Sequence, residues 1–230
     1  MKGLALFDYD WSLINDDSDC FVYKQLQPEL LAEFKACIAR GDPFSKTADA
    51  ILSKLTCSKD KLLETMARVP VQPGMLDAVH AAHAKGWDVA IVSDANTVFI
   101  RCMLEFNNLT SIVRYVRTNP ASFQGNTLRV KPFHSMDKAP HGCPRCPSNM
   151  CKGAIIRDLL TLEKYSKVLY VGDGGGDYCP ALTQLTSRDV VFARENCELL
   201  NRIRHEPVRA TVVPWSTGYD ILAGFQAHLS

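Results

Sequence analysis

The chain has 230 residues, 47% hydrophobic and 22% charged, enough to bury the core of one large domain or of a domain carrying an insertion. A formal net charge of +1 removes any electrostatic case for nucleic acid or an anionic membrane, and no apolar run approaches the length that spans a bilayer. The nine cysteines are odd in number and scattered, and the N-terminal apolar run is too short for a secretion signal, so reduced thiols and a cytoplasmic protein are expected.

In chain order, Leu4-Ala5-Leu6-Phe7 reads as a short buried strand that runs directly into Asp8 and Asp10. Residues i and i+2 of a strand point the same way, so this spacing aims two carboxylates at one spot. Both stay ionised only with a cation between them, and a hard divalent ion with oxygen ligands suits the pair. A loop rich in Asn, Asp and Ser follows at 15–19. Residues 28–69 then look helical. The first helix opens at Pro28 and breaks at Gly41-Asp42-Pro43, the second covers 45–55, and the third covers 58–66 with Ser58 as N-cap. Residues 19–70 are therefore expected to form a small helical domain inserted into a body made of 1–18 and 71–230.

A helix from Pro73-Gly74 to Lys85 leads to a strand at 87–92, which ends in Ser93-Asp94-Ala95-Asn96. A helix over 97–107, short extended segments over 112–133, and a loop over 134–150 with Cys143, Cys146 and three prolines come next. Then a helix over 152–164 and a strand over 167–171 end in Gly172-Asp173-Gly174-Gly175-Gly176-Asp177. A strand at 190–192, a helix at 195–204, a strand at 210–213 and a terminal helix close the chain. The alternation predicts an α/β, Rossmann-like parallel sheet with helices on both faces, plus a helical cap inserted after the first strand.

Three strands thus end in polar clusters, Asp8/Asp10, Ser93/Asp94/Asn96 and Asp173/Asp177, and ligands of open parallel sheets bind outside the carboxyl ends of the strands. Lys152, where a cation opposes the helix dipole, is a fourth candidate. A carboxylate nucleophile, a second carboxylate to move a proton, a divalent ion and a lysine suit phosphoryl transfer. A dinucleotide reading of Gly172–Gly176 fails, because the loop comes late in the chain and its acids would repel a pyrophosphate.

Asp8-Tyr9-Asp10-Trp11-Ser12, Ser93, Lys152 and Gly172-Asp173-Gly174-Gly175-Gly176-Asp177 resemble, in order, the four motifs of haloacid dehalogenase-type phosphatases. The wider set Ser18-Asp19, Ser93-Asp94-Ala95-Asn96-Thr97, Cys143 to Lys152 and Val213-Pro214-Trp215 is similar to the phosphoethanolamine/phosphocholine phosphatase family, which includes pyridoxal 5'-phosphate and thiamine monophosphate phosphatases. The resemblance implies Asp8 as nucleophile and Asp10 as general acid/base. It implies Ser93 and Lys152 on the phosphate, and Mg²⁺ on Asp8, the Asp10 carbonyl and Asp173, with Asp177 supporting the ligands. Asp19 is implied at the substrate's cationic head, with Asp94 and Asn96 either substrate contacts or helix caps. Trp11 and Ser12 depart from the commoner residues of the first motif.

The expected activity is hydrolysis of a small phosphorylated metabolite, phosphoethanolamine or phosphocholine first. Alternatives are thiamine monophosphate, pyridoxal 5'-phosphate or pyrophosphate as substrate, transfer to an alcohol, or a receiver-like module phosphorylated on Asp8 without turnover. An aromatic cage for a quaternary ammonium would draw on Trp11, Phe21 and Tyr23. Cys143, Cys146 and Cys151, with His134 or His141, form either a structural zinc set or reduced thiols, while Cys179 and the remaining cysteines read as small core residues.

Overall fold

The structure, a computed structural model, describes residues 2–135 and 141–229. The predicted loop over 134–150 falls partly on 136–140, outside the described residues. Six strands form one parallel sheet: β1 (Leu4–Phe7), β2 (Asp88–Asn96), β3 (Val113–Asn119), β6 (Val168–Gly172), β7 (Val190–Arg194) and β8 (Thr211–Trp215), in the order β3-β2-β1-β6-β7-β8. The remaining two, β4 (Ala121–Gln124) and β5 (Thr127–Val130), form a separate antiparallel hairpin. The chain leaves β1 toward β2 and β3 on one side and later returns to β6 on the other. The carboxyl ends of β1 and β6 therefore flank a topological switch point, where such sheets open a crevice.

Strand alternation divides the core in two. Ala5 and Phe7, with Val89, Ile91, Leu169, Val171 and Phe192, face α5 (Met75–Ala84), α6 (Thr97–Phe106) and α10 (Gly218–His228). Leu4 and Leu6, with Ala90, Val92, Tyr170 and Val191, face α7 (Lys152–Leu162), α8 (Gly175–Thr183) and α9 (Glu198–His205). The four inner strands β2, β1, β6 and β7 are covered on both faces and read as near-continuous apolar runs, as buried parallel strands do, whereas the edge strands β3 and β8 are partly exposed. Among the described residues, no helix is long and apolar enough to cross a membrane.

Four helices lie between β1 and α5: α1 (Ser18–Leu26), α2 (Pro28–Ala39), α3 (Phe44–Leu52) and α4 (Lys59–Met66). Ser58 caps α4 by accepting from the Lys61 N–H at 3.2 Å. The chain enters and leaves this group through an isolated bridge between Ile14 and Val71. Its buried residues, among them Phe34, Ile51 and Leu62, join the cluster of the first sheet face rather than forming a separate core. The β4–β5 hairpin leans on it as well, with Arg129 forked onto Asp49.

Two helices went unread in the sequence. The Asn/Asp/Ser-rich loop at 15–19 conceals the start of α1, because Asp17 is its N-cap and accepts from the Cys20 N–H at 2.7 Å. The glycine run after β6 conceals α8, whose start is secured by the Asp177 carboxylate accepting from the Gly174 N–H.

Candidate active site

The peptide after β1 does not continue as a strand. Tyr9–Leu13 forms a single π-helical turn, with Leu13 and Ile14 N–H groups reaching back to the Asp8 and Tyr9 carbonyls. Trp11 sits at φ 54°, a left-handed conformation rare for a bulky residue. Three contacts hold it there. The Trp11 N–H donates to the Asp16 carbonyl, Arg194 donates to the Trp11 carbonyl, and the Arg194 guanidinium lies over the rings of both Trp11 and Trp215, 5.6 and 5.2 Å from their centroids. The turn brings the Ser12 hydroxyl to Asp173 at 3.1 Å and the Asp10 carboxylate to the Ser18 N–H at 2.8 Å.

Asp8 continues the alternation of Leu4 and Leu6 toward the face covered by α7 and α8, and there it meets Lys152. The buried Lys152 ammonium lies 2.6 Å from Asp8 Oδ2 and 2.7 Å from Asp177 Oδ1. Asp177 also accepts from the Tyr170 hydroxyl at 2.5 Å and from the Asp173 and Gly174 N–H groups at 3.0 and 2.9 Å. A Cβ at Gly172 would fall 2.6 Å from Asp177 Oδ2, so only glycine lets this carboxylate pack beneath the loop.

The electrostatics separate these acids. Burial pushes Asp177 up, but Lys152, Tyr170 and the Gly174 N–H outweigh it and hold its carboxyl below the usual range. Asp8 is driven well above that range by burial and then by repulsion from Asp177, against the pull of Lys152. Asp173 is raised to about 7 by burial and Asp177, with Lys152 and Ser12 opposing. Asp10 is raised by burial, Asp17 and Asp19. Lys152 loses charge stabilisation by burial but is held protonated by Asp177 and Asp8. One lysine thus faces more negative charge than it can neutralise.

Asp8, Asp173 and Asp177 bring carboxylate oxygens within 4.8 Å of one another, a hard-oxygen set that fits a divalent cation. Asp177 already uses both oxygens on four donors, Asp8 shares its one lysine with Asp177, and among the described residues Asp173 has no ion pair, so Asp8 and Asp173 are left short of positive charge.

Ser93 is fully buried within the carboxyl half of β2, two residues beyond Ile91, which pairs with Phe7. Its oxygen accepts from the Ala95 N–H at 3.2 Å, and among the described residues its hydroxyl donates no hydrogen bond. Asp94 lies close enough to raise Asp8 and Asp19. Asn96 is the N-cap of α6, its side-chain oxygen occupied by the Val98 and Phe99 N–H groups at 3.1 and 3.0 Å. Of its two readings, the structure gives it the cap.

Asp19 is 4% exposed in the first turn of α1, and among the described residues its Oδ1 has no hydrogen-bond partner. Burial, Asp17 and Asp94 raise it well above the usual range. Among the described residues the neighbouring Ser18 hydroxyl is likewise buried without a hydrogen-bond partner. Phe21 and Tyr23, which a cage for a quaternary ammonium would draw on, do not face Asp19 as free ring faces. Phe21 is buried in the core, and Tyr23 packs on Phe34 with its hydroxyl turned to the Ala48 carbonyl.

The sequence assigns no role to Asp17, Tyr170 or Arg194, and names Ser12 only as part of the first motif. Only Asp17 and Ser12 carried a local signal, the acid before a helix and the serine closing the first motif.

Residues 3–229 match the family described as Putative Phosphatase. The chain belongs to this phosphatase family. The phosphatase is 35% identical to inorganic pyrophosphatase 2 of Arabidopsis thaliana, over 95% of this chain and 80% of the relative. It is 32% identical to a pyridoxal phosphate phosphatase of Bos taurus, over 98% of each. Among solved structures, a phosphoserine phosphatase in its apo form matches with a TM-score of 0.61 at 16% identity, covering 92% of this chain and 94% of that one. The phosphatase therefore has the haloacid dehalogenase-like α/β fold, and its family supports action on small phosphorylated compounds. The two relatives carry the names of different substrates.

Proposed function

We propose that this phosphatase hydrolyses phosphomonoesters with a small cationic head, phosphoethanolamine foremost, through an aspartyl-phosphate on Asp8. The observation that carries the substrate class is Asp19, a buried carboxylate with an orphaned oxygen beside Asp17 and Asp94. A buried unpaired acid costs free energy unless a ligand supplies the missing charge and donor. A primary ammonium brings both. The quaternary ammonium of choline brings no donor and prefers aromatic faces, and Phe21 and Tyr23 are committed to the core. A pyrophosphate would set a second anion against these acids.

In the chemistry, Asp8 attacks phosphorus while Lys152 and Ser93 hold non-bridging oxygens. Asp10, whose carboxyl is raised by burial and by Asp17 and Asp19, donates its proton to the departing alkoxide. As a carboxylate it then takes a proton from the water that hydrolyses the acyl phosphate. Asp177 keeps Lys152 in place through the 2.7 Å contact. Asp8, the Asp10 carbonyl and Asp173 would hold Mg²⁺, which when bound supplies positive charge for an anionic nucleophile meeting an anionic ester. The helical group α1–α4, which carries Asp19, acts as the cap over this crevice.

Thiamine monophosphate is the second reading, since its ring is also cationic and would satisfy the charge, though not the donor, that Asp19 lacks. The test is phosphate release from a panel of esters with Mg²⁺. The highest kcat/KM is expected for phosphoethanolamine, with phosphocholine and thiamine monophosphate behind. Faster turnover of pyrophosphate or pyridoxal 5'-phosphate would overturn the assignment.

A further inference from the structure

Away from the carboxylates, four cysteines from three chain segments converge. Cys143 and Cys146 come from the loop before α7, Cys151 is the N-cap of α7, and Cys179 lies within α8. Their four Sγ atoms all lie within 4.8 Å of one another, with Cys143 to Cys179 at 3.7 Å and Cys151 to Cys179 at 3.9 Å. A disulfide needs about 2.05 Å, and all four are free thiols. Sulfurs placed about 2.3 Å from a central ion at tetrahedral angles stand about 3.8 Å apart. The observed spacings match that edge.

Two surrounding features fit a filled sulfur cage. The Ala154 N–H donates to Cys151 Sγ at 3.3 Å, the kind of contact that orients a thiolate ligand, and it comes from a helix start, where negative charge is favoured. A Cβ at Gly153 would lie 2.7 Å from Cys179 Sγ, so the start of α7 is pressed directly onto the sulfurs. The histidines considered as ligands are otherwise placed. His141 accepts from the Cys143 N–H and meets the Pro147 carbonyl, and His134 stacks on it at 5.0 Å. The fourth donor is Cys179, which the sequence had suggested was only a small core residue.

We propose that Cys143, Cys146, Cys151 and Cys179 bind one structural Zn²⁺. Four thiolates close the coordination shell and leave no position for substrate or water, so the ion holds structure and does no chemistry. What it holds is specific. Cys151 immediately precedes Lys152, and Cys179 follows Asp177 by two residues. The ion ties the start of α7 to α8 and so fixes the Lys152–Asp177 contact that aims the ammonium at Asp8. This inference rests on the sulfurs alone and is independent of the substrate reading.

The test is elemental analysis of the full chain, purified without metal-affinity resin and dialysed against EDTA. About one zinc per chain is expected, retained equally by Asp173→Asn, and absent from the Cys146→Ser/Cys179→Ser double variant. Because that variant can fail to fold, cobalt growth of the unaltered chain is the second arm. Co²⁺ should give the thiolate-to-metal charge-transfer absorption and the intense visible bands of a tetrahedral tetrathiolate. A metal-free protein with nine titratable thiols would overturn the proposal, as would a disulfide among the four, stoichiometric iron in place of zinc, or zinc lost in Asp173→Asn but kept in the cysteine variant.

Discussion

Asp8 and Asp88 are each 6% exposed and lie at opposite ends of neighbouring strands. Asp88 opens β2. Its two oxygens take Lys2 at 2.5 Å, Arg114 at 2.5 Å and the Tyr165 hydroxyl at 2.8 Å. Burial raises it, but these partners outweigh burial and hold it below the usual carboxylate range. Asp8 follows β1 and shares one lysine with Asp177, amid Asp173 and Asp94, and is driven the other way. The same residue at the same exposure is thus a fastener at the amino end of the sheet and an under-compensated acid at the carboxyl end. An environment that leaves a buried acid unmatched serves a ligand rather than the fold.

The largest expected effect tests that contrast directly. Asp8→Asn should lower phosphate release by at least about a thousandfold, since it removes the attacking group. It should also leave the metal-free melting temperature unchanged or higher, because it removes a repelled charge and leaves Lys152 with Asp177. Near-normal turnover would end the nucleophile assignment, and a large loss of stability would end the comparison.

The next effect concerns pH and metal. Asp8, Asp10, Asp19 and Asp173 have folded pKa values raised above their unfolded ones, so the metal-free folded chain binds protons that the unfolded chain releases. Their contribution to stability is present at low pH and lost as pH rises through the folded values, which for Asp173 is about 7. The metal-free melting temperature should therefore fall between about pH 5 and pH 8. Mg²⁺ at a hundred times its Kd should restore about 2.7 kcal/mol at the upper end and less at the lower end, where protons compete. Thermal melts across pH with and without Mg²⁺ measure this, and a Mg²⁺ shift larger at pH 5 than at pH 8 contradicts it.

Asp19→Asn should raise KM for phosphoethanolamine about 10- to 100-fold, the worth of a charge-assisted hydrogen bond of about 1.5–3 kcal/mol. It should leave pyrophosphate hydrolysis unimpaired. Equal losses on both substrates would make Asp19 a prop for α1 rather than a substrate contact.

The sheet and the acid pairs were legible in the sequence because both follow from local rules. Apolar runs such as Leu4–Phe7 mark buried strands, and three of them, β1, β2 and β6, run into acids that a parallel sheet gathers at one edge. The rest depends on groups far apart in the chain. Arg194 reaches Trp11 only once β7 lies beside β6, and Cys179 joins Cys143, Cys146 and Cys151 only once α8 packs on α7. The π-helical turn after Asp8 was hidden for a different reason, since it is held by Asp16 and Arg194 against the backbone preference of Trp11. The cap of α1 falls to Asp17, which the sequence does not single out and which only the turn places against the Cys20 N–H.

The smallest effect belongs to the satisfied acid. Asp88→Asn loses its charge toward Lys2 and Arg114, whose side chains are 36% and 43% exposed and can return to water. The cost should therefore be about 1–2 kcal/mol, below the 3–5 kcal/mol of a fully buried pair, and a melting temperature lower by about 2–8 °C. Asp88 has a depressed folded pKa, so its contribution is present above the ordinary carboxylate range of about 4 and is lost as pH falls through the lower folded value. The gap between the parent and Asp88→Asn should accordingly be widest near neutral pH and close in acid. The metal-free gap for Asp8→Asn should follow the opposite course, opening as pH rises. Turnover of Asp88→Asn at 25 °C should match the parent, because the charge it removes lies at the far end of the sheet from Lys152. Two melting curves against pH that run in the same direction would show that the sheet's two ends do not differ in kind.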